Sequence, residues 1–78
     1  RTQIKITTDK ISKGVLMVFD VNGSSIITLH DGFLLPGETL VPWDGRDHVG
    51  KIVATGTYFY SLFVDGELIE SNSMIFIK

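Results

Sequence analysis

Seventy-eight residues without a cysteine make one domain, spanning 1–78, that must hold together with neither a disulfide nor a thiolate-bound metal. Seven basic against nine acidic residues leave a net charge of −2, and the basic ones are scattered, so the stripe that neutralises nucleic-acid phosphates is missing. A hydrophobic fraction of 44% against 21% charged excludes a disordered chain, and no apolar run approaches the roughly 18 residues of a membrane span.

The chain opens on Arg1-Thr2-Gln3 and runs straight into an alternating stretch, so it reads as a piece of a longer polypeptide. The first predicted strand is Gln3 to Thr7, with Ile4 and Ile6 on one face and Lys5 on the other. Thr8 to Gly14 reads as a polar turn. Val15 to Asp20 is the second strand, with Leu16 and Val18 facing one way and Met17 and Phe19 the other. Asn22-Gly23 connects it to a third, Ser25 to Leu29, and Asp31-Gly32 reads as another turn. Pro36-Gly37 precedes a strand from Glu38 to Trp43. Pro42 lacks a backbone N–H, which confines that strand to an edge or a bulge. Thr57 to Val64 is the strongest strand pattern, with Tyr58, Tyr60, Leu62 and Val64 on one side and Phe59, Ser61 and Phe63 on the other. Asp65-Gly66 turns it towards Leu68–Ile69 and a terminal strand, Met74 to Ile77. The sum is an all-β, antiparallel sandwich of about seven strands with no helix. Its predicted core is Ile4, Ile6, Leu16, Val18, Ile26, Trp43, Tyr58, Tyr60 and Leu62.

Chemistry is harder to find. Asp44, Asp47 and Gly50 invite comparison with a calcium loop, but the acidic positions are three apart and no closing Glu follows. Each Asp reads instead as an acceptor for backbone N–H groups just ahead of it. Trp43 reads as a core anchor. His30 and His48 fall in predicted turns, away from any convergent zinc set or nucleophile. Gly23-Ser24-Ser25 lacks the closing glycine of a nucleophile elbow. Asn22-Gly23-Ser24 fits both a glycosylation acceptor and a hairpin turn, and the turn is preferred. Glu67 and Glu70, three apart on a strand, should point to opposite faces. No catalytic residue, metal ligand or cofactor site is expected.

The stretches "LMVFDVNGSSIITLHDG", "LPGETLVPWDGRDHVGKIVATGTYFYSL" and "SMIFIK" together resemble the Ig-like domain named for the flagellar hook-capping protein. They are closer still to its relative, the type A C-terminal sorting domain of type IX secretion cargo. The resemblance covers about Ile4 to Lys78. Its most specific parts are Trp43-Asp44-Gly45-Arg46-Asp47 with Gly50, then Gly56, Tyr58, Tyr60 and Leu62, then a final apolar strand ending in lysine. The family's L-x-V-Y-D-x-x-G is matched by Leu16, Val18, Phe19, Asp20 and Gly23, with Phe for Tyr. The N-P-F-N-P-type opening is absent, and Leu40 and Pro42 depart from the usual pattern.

The resemblance implies an Ig-like sandwich that does no catalysis. It implies a passenger tag at the end of a larger secreted protein, whose cargo domain precedes it in the same polypeptide. The expected partners are the outer-membrane secretion translocon and a transpeptidase-like surface-attachment enzyme, without nucleic acid or membrane insertion. The expected location is secreted or on the cell surface, reached through periplasm and outer membrane. By family analogy the recognition elements are Gly56, Tyr58, Met74, Ile75, Phe76, Ile77 and Lys78, with Trp43, Asp44, Gly45, Asp47 and Gly50 as structural motif. Gly56 has a further expected reason, a backbone angle that Thr57 could not easily take. The alternative is an accessory Ig-like module of a bacterial surface, extracellular-enzyme or flagellar hook-cap protein, which fold alone does not separate.

Overall fold

Alternation of apolar and polar side chains is the organising signal, and in the computed structural model, which describes residues 2–78, it produces six strands and no helix. These are β1 (Thr2–Thr8), β2 (Ser12–Phe19), β3 (Ser25–Leu34), β4 (Gly37–Trp43), β5 (Gly56–Val64) and β6 (Glu67–Phe76). They form two antiparallel sheets, a pair β1-β4 and a four-stranded sheet in the order β3-β2-β5-β6. The pair covers the inner face of the larger sheet, giving a small sandwich of the Ig-like type.

Two packed clusters fill the space between the sheets. One joins Ile4, Ile6 and Val41 of the pair to Leu16, Leu34 and Leu62 of the larger sheet. The other gathers Val18, Trp43, Tyr58 and Phe76 at one end. Ile26 and Tyr60, expected in the core, are only half-buried, whereas Leu34, Val41 and Phe76 are fully part of it. β5 is central, between β2 and β6, and Tyr58, Tyr60, Leu62 and Val64 face the interior. Phe59 and Phe63 share the outer face with Val15, Met17 and Phe19, half-covered by one another with no layer above among the described residues.

Several boundaries differ from the sequence reading. The turn expected over Thr8–Gly14 shrinks to Asp9–Ile11, because Ser12 and Gly14 take inward positions in β2 opposite Leu34 and Gly32. β3 continues beyond Leu29 to Leu34, so Asp31-Gly32 lies inside a strand and Gly32 has no positive φ. His30 therefore faces the sandwich from β3 opposite Leu16 rather than sitting in a turn, and its Nε2 is buried without a hydrogen-bond partner among the described residues. Leu68–Ile69 and Met74–Ile77 belong to one strand, which makes six strands rather than seven. A bulge at Ile69 explains the split pattern, since Leu62 faces Glu70 while Phe63 faces Leu68. That extra residue returns Glu67 and Glu70 to one face, contrary to the simple alternation. Pro42 lies on β4, which among the described residues pairs with β1 alone, so its missing N–H interrupts no second ladder.

Candidate functional site

Trp43, the last residue of β4, points inward at the end of the sandwich and is 1% exposed. Its indole Nε1 donates to the Arg46 carbonyl at 3.1 Å, so the buried ring leaves no donor unpaired. The ring meets Tyr58 edge-on at 5.3 Å and lies tilted 5.4 Å from Phe76. Just beyond the strand, Gly45 has φ +79° and sits against the Phe76 ring, which a Cβ there would strike. Two constraints thus demand glycine at one position. Tyr58 sends its hydroxyl to the Ala54 carbonyl at 2.7 Å, and the Lys78 N–H donates to Thr55 Oγ1 at 3.1 Å. Gly56 faces Phe76 and Tyr58 faces Met74 across the β5–β6 ladder. The fold thereby gathers the Trp43–Asp47 motif, the Gly56–Tyr58 corner and the last five residues at one end.

The acidic residues of the corner spend themselves on the backbone. Asp44 accepts from the Arg46 N–H at 3.2 Å, with the Arg46 guanidinium 3.7 Å away. Asp47 accepts from Val49 N–H at 3.1 Å and Lys51 N–H at 3.0 Å. The Lys51 bond is the main cause that holds the Asp47 carboxyl below its ordinary value. Gly50 closes this loop at φ +88°, donating to the Asp47 carbonyl. The same device recurs at Asp20, which accepts from Asn22 and Ser24 N–H groups while Gly23 stands at φ +81° and donates back. Each is a type I turn closed by a left-handed glycine, the signature Asp-x-x-Gly-x. The bonds match the sequence expectation that each Asp of the corner accepts from backbone N–H groups just ahead of it. His48, exposed, is an ordinary turn residue, and no three His, Cys, Asp or Glu converge on a common point among the described residues.

Accessibility divides the residues carried over from the family resemblance. Tyr58 and Phe76 are buried and Met74 is half-buried, so these three build the end of the core. Ile75, Ile77 and Lys78 are exposed. Gly56 is a correction: its φ is ordinary and nothing stands within 4 Å of where a Cβ would go, so neither backbone nor packing demands glycine there.

Two other features lie away from this corner. On the inner face of β5 and β6, the Tyr60 hydroxyl donates to Glu70 at 2.9 Å, and Asn72 donates to both at 3.2 Å. Desolvation, chiefly, raises the Tyr60 hydroxyl above its usual value. At the far end of the sandwich an open groove of about 360 Å³ lies among Thr7–Lys10, Ser12, Val64 and Ile69. It touches none of the candidate recognition or motif residues. Comparison of the chain with protein-family models, with curated proteins and with solved structures finds no match.

Proposed function

We propose that this chain is a non-catalytic sorting domain that directs a cargo protein through the type IX secretion system to the cell surface. The observation that carries the reading is the convergence of the family-implied elements on one end of the sandwich, with Ile75, Ile77 and Lys78 left exposed beside the Trp43–Gly50 corner. An export machinery that recognises a folded tag needs such a surface, built on a rigid end and free of pocket chemistry. Tyr58 and Phe76 act through the fold, by fixing where the exposed residues stand. The secretion translocon and the transpeptidase-like attachment enzyme are the partners of this reading.

The test is a reporter carrying a periplasmic signal peptide and this domain at its C-terminus, expressed in a host with a working type IX system. The intact fusion should reach the cell surface. Gly56→Ala separates recognition from folding, because the fold tolerates a methyl there: loss of export with an unchanged melting curve supports reading at this corner. Ile77→Ser with Lys78→Ala should likewise retain the fold and lose export. An intact fusion left in the periplasm sinks the proposal and favours an accessory Ig-like module.

A further inference from the structure

A sheet edge is an open row of N–H and C=O groups, and proteins protect such rows from stray pairing with prolines, lysines, bulges or covering loops. Three of the four edge strands here are protected. β4 carries Pro42, and β1 presents Lys5, paired with Glu38 at 3.6 Å. β3 is broken by two register shifts, and the His48 N–H donates to its Ile26 carbonyl at 3.0 Å. β6 is different. From Glu70 to Phe76 its register with β5 is uninterrupted, and Ser71-Asn72-Ser73-Met74-Ile75-Phe76 holds no charge, proline or glycine. Among the described residues, no backbone hydrogen bond from a loop reaches this strand. Beside the open row, Ile75 is 69% and Ile77 75% exposed.

We propose that the β6 edge pairs antiparallel with β6 of a second copy of this chain, around a two-fold axis at Ser73, joining two four-stranded sheets into one of eight. Charge selects the occupant. The strand begins with Glu67 and Glu70 and the chain continues to Lys78, so an antiparallel copy sets acid against base at both ends of the seam. Pairing also fixes the register. Ser73 opposite itself places Ser71 against Ile75 and Asn72 against Met74, each pair sharing a face. The bulge at Ile69 then absorbs one residue, so Leu68 meets Ile77 and Glu67 meets Lys78 of the other copy. A one-residue slip would set core-facing side chains against outward ones. A two-residue slip towards Met74 would set Lys78 against Glu70, whose carboxylate already holds Tyr60 and Asn72. This pairing stands apart from the sorting role. Where both operate, the dimer covers Ile75 and Ile77, so the export machinery reads the monomer.

Sedimentation of the 78-residue chain over a concentration series tests it. One strand seam is a small interface, so a reversible monomer–dimer equilibrium in the upper micromolar range is expected. Ile75→Lys should abolish the dimer with no change in circular dichroism or melting. Glu67→Lys should weaken it several-fold, and adding Lys78→Glu should restore it. Cysteine placement reads the register directly. Opposed residues lie about 4.5–5.5 Å apart between Cα atoms, within disulfide reach, so Ser73→Cys should cross-link with itself under mild oxidation. Ser71→Cys should not, because its two copies would lie about 13 Å apart along the seam. A chain that stays monomeric throughout, association that grows open-ended, or equal cross-linking from both positions overturns the proposal.

Discussion

Trp43 decides how one end of this protein holds together. It is the largest fully buried side chain, its donor is satisfied, and two aromatic rings rest on it. Trp43→Ala should lower stability by about 3–5 kcal/mol, read from chemical denaturation. A midpoint that hardly moves would contradict its place in the core. The glycines at this end make a paired test. Gly45→Ala combines a left-handed backbone with a collision against Phe76 and should cost about 2–4 kcal/mol, whereas Gly56→Ala should be neutral to slightly stabilising. Asp47 gives a pH signature. Its folded carboxyl titrates below the ordinary 3.8, so its contribution is complete above that value and is lost as pH falls through the depressed one. Thermal melts between pH 5 and pH 2 should therefore fall more steeply for the native chain than for Asp47→Asn. Parallel curves would show that the carboxylate charge adds nothing to the turn.

Among the elements, β5 was the most legible because its alternation runs unbroken from Tyr58 to Val64, with turn residues at its C-terminal end. β3 and β6 depart from the sequence pattern for opposite reasons. In β3, Asp31-Gly32 looks like a turn locally, yet pairing with Gly14 and Val15 of β2 keeps it extended. Tertiary pairing there outweighs a dipeptide preference. In β6 a single bulge broke the period and made one strand look like two. Gly14 and Gly32, directly opposed in the β2–β3 ladder, separate the two kinds of strand glycine. A Cβ on Gly14 would strike Leu34, while one on Gly32 meets nothing within 4 Å. Gly14→Ala should cost about 1–3 kcal/mol, and Gly32→Ala should gain up to about 1 kcal/mol. If the two variants melt alike, the packing of Leu34 over Gly14 is wrong.

For the molecule as a whole, fold class and the chemistry of the acidic turns were readable from local sequence, since alternation and Asp-x-x-Gly spacing act over a few residues. The Gly45–Phe76 contact was not, because it joins positions that only strand order brings together. Nor was the exposure of Ile75 and Ile77, which follows from β6 being an edge. One consequence concerns force. Thr2 pairs with Trp43, and Trp43 packs on Phe76, so both ends of the described chain emerge from the same end of a 36 Å long body. A tension applied between them peels β1 from β4 and β6 from β5 one rung at a time, and never loads a whole ladder at once. Drawn instead between Thr2 and the Asp65–Gly66 turn at the opposite end, the β1–β4 and β2–β5 ladders are sheared along their length. In an optical trap the first geometry should therefore yield at clearly lower force than the second. A domain that is cooperative towards denaturant would in this way be weak in one mechanical direction, the one in which a polypeptide is pulled by its ends.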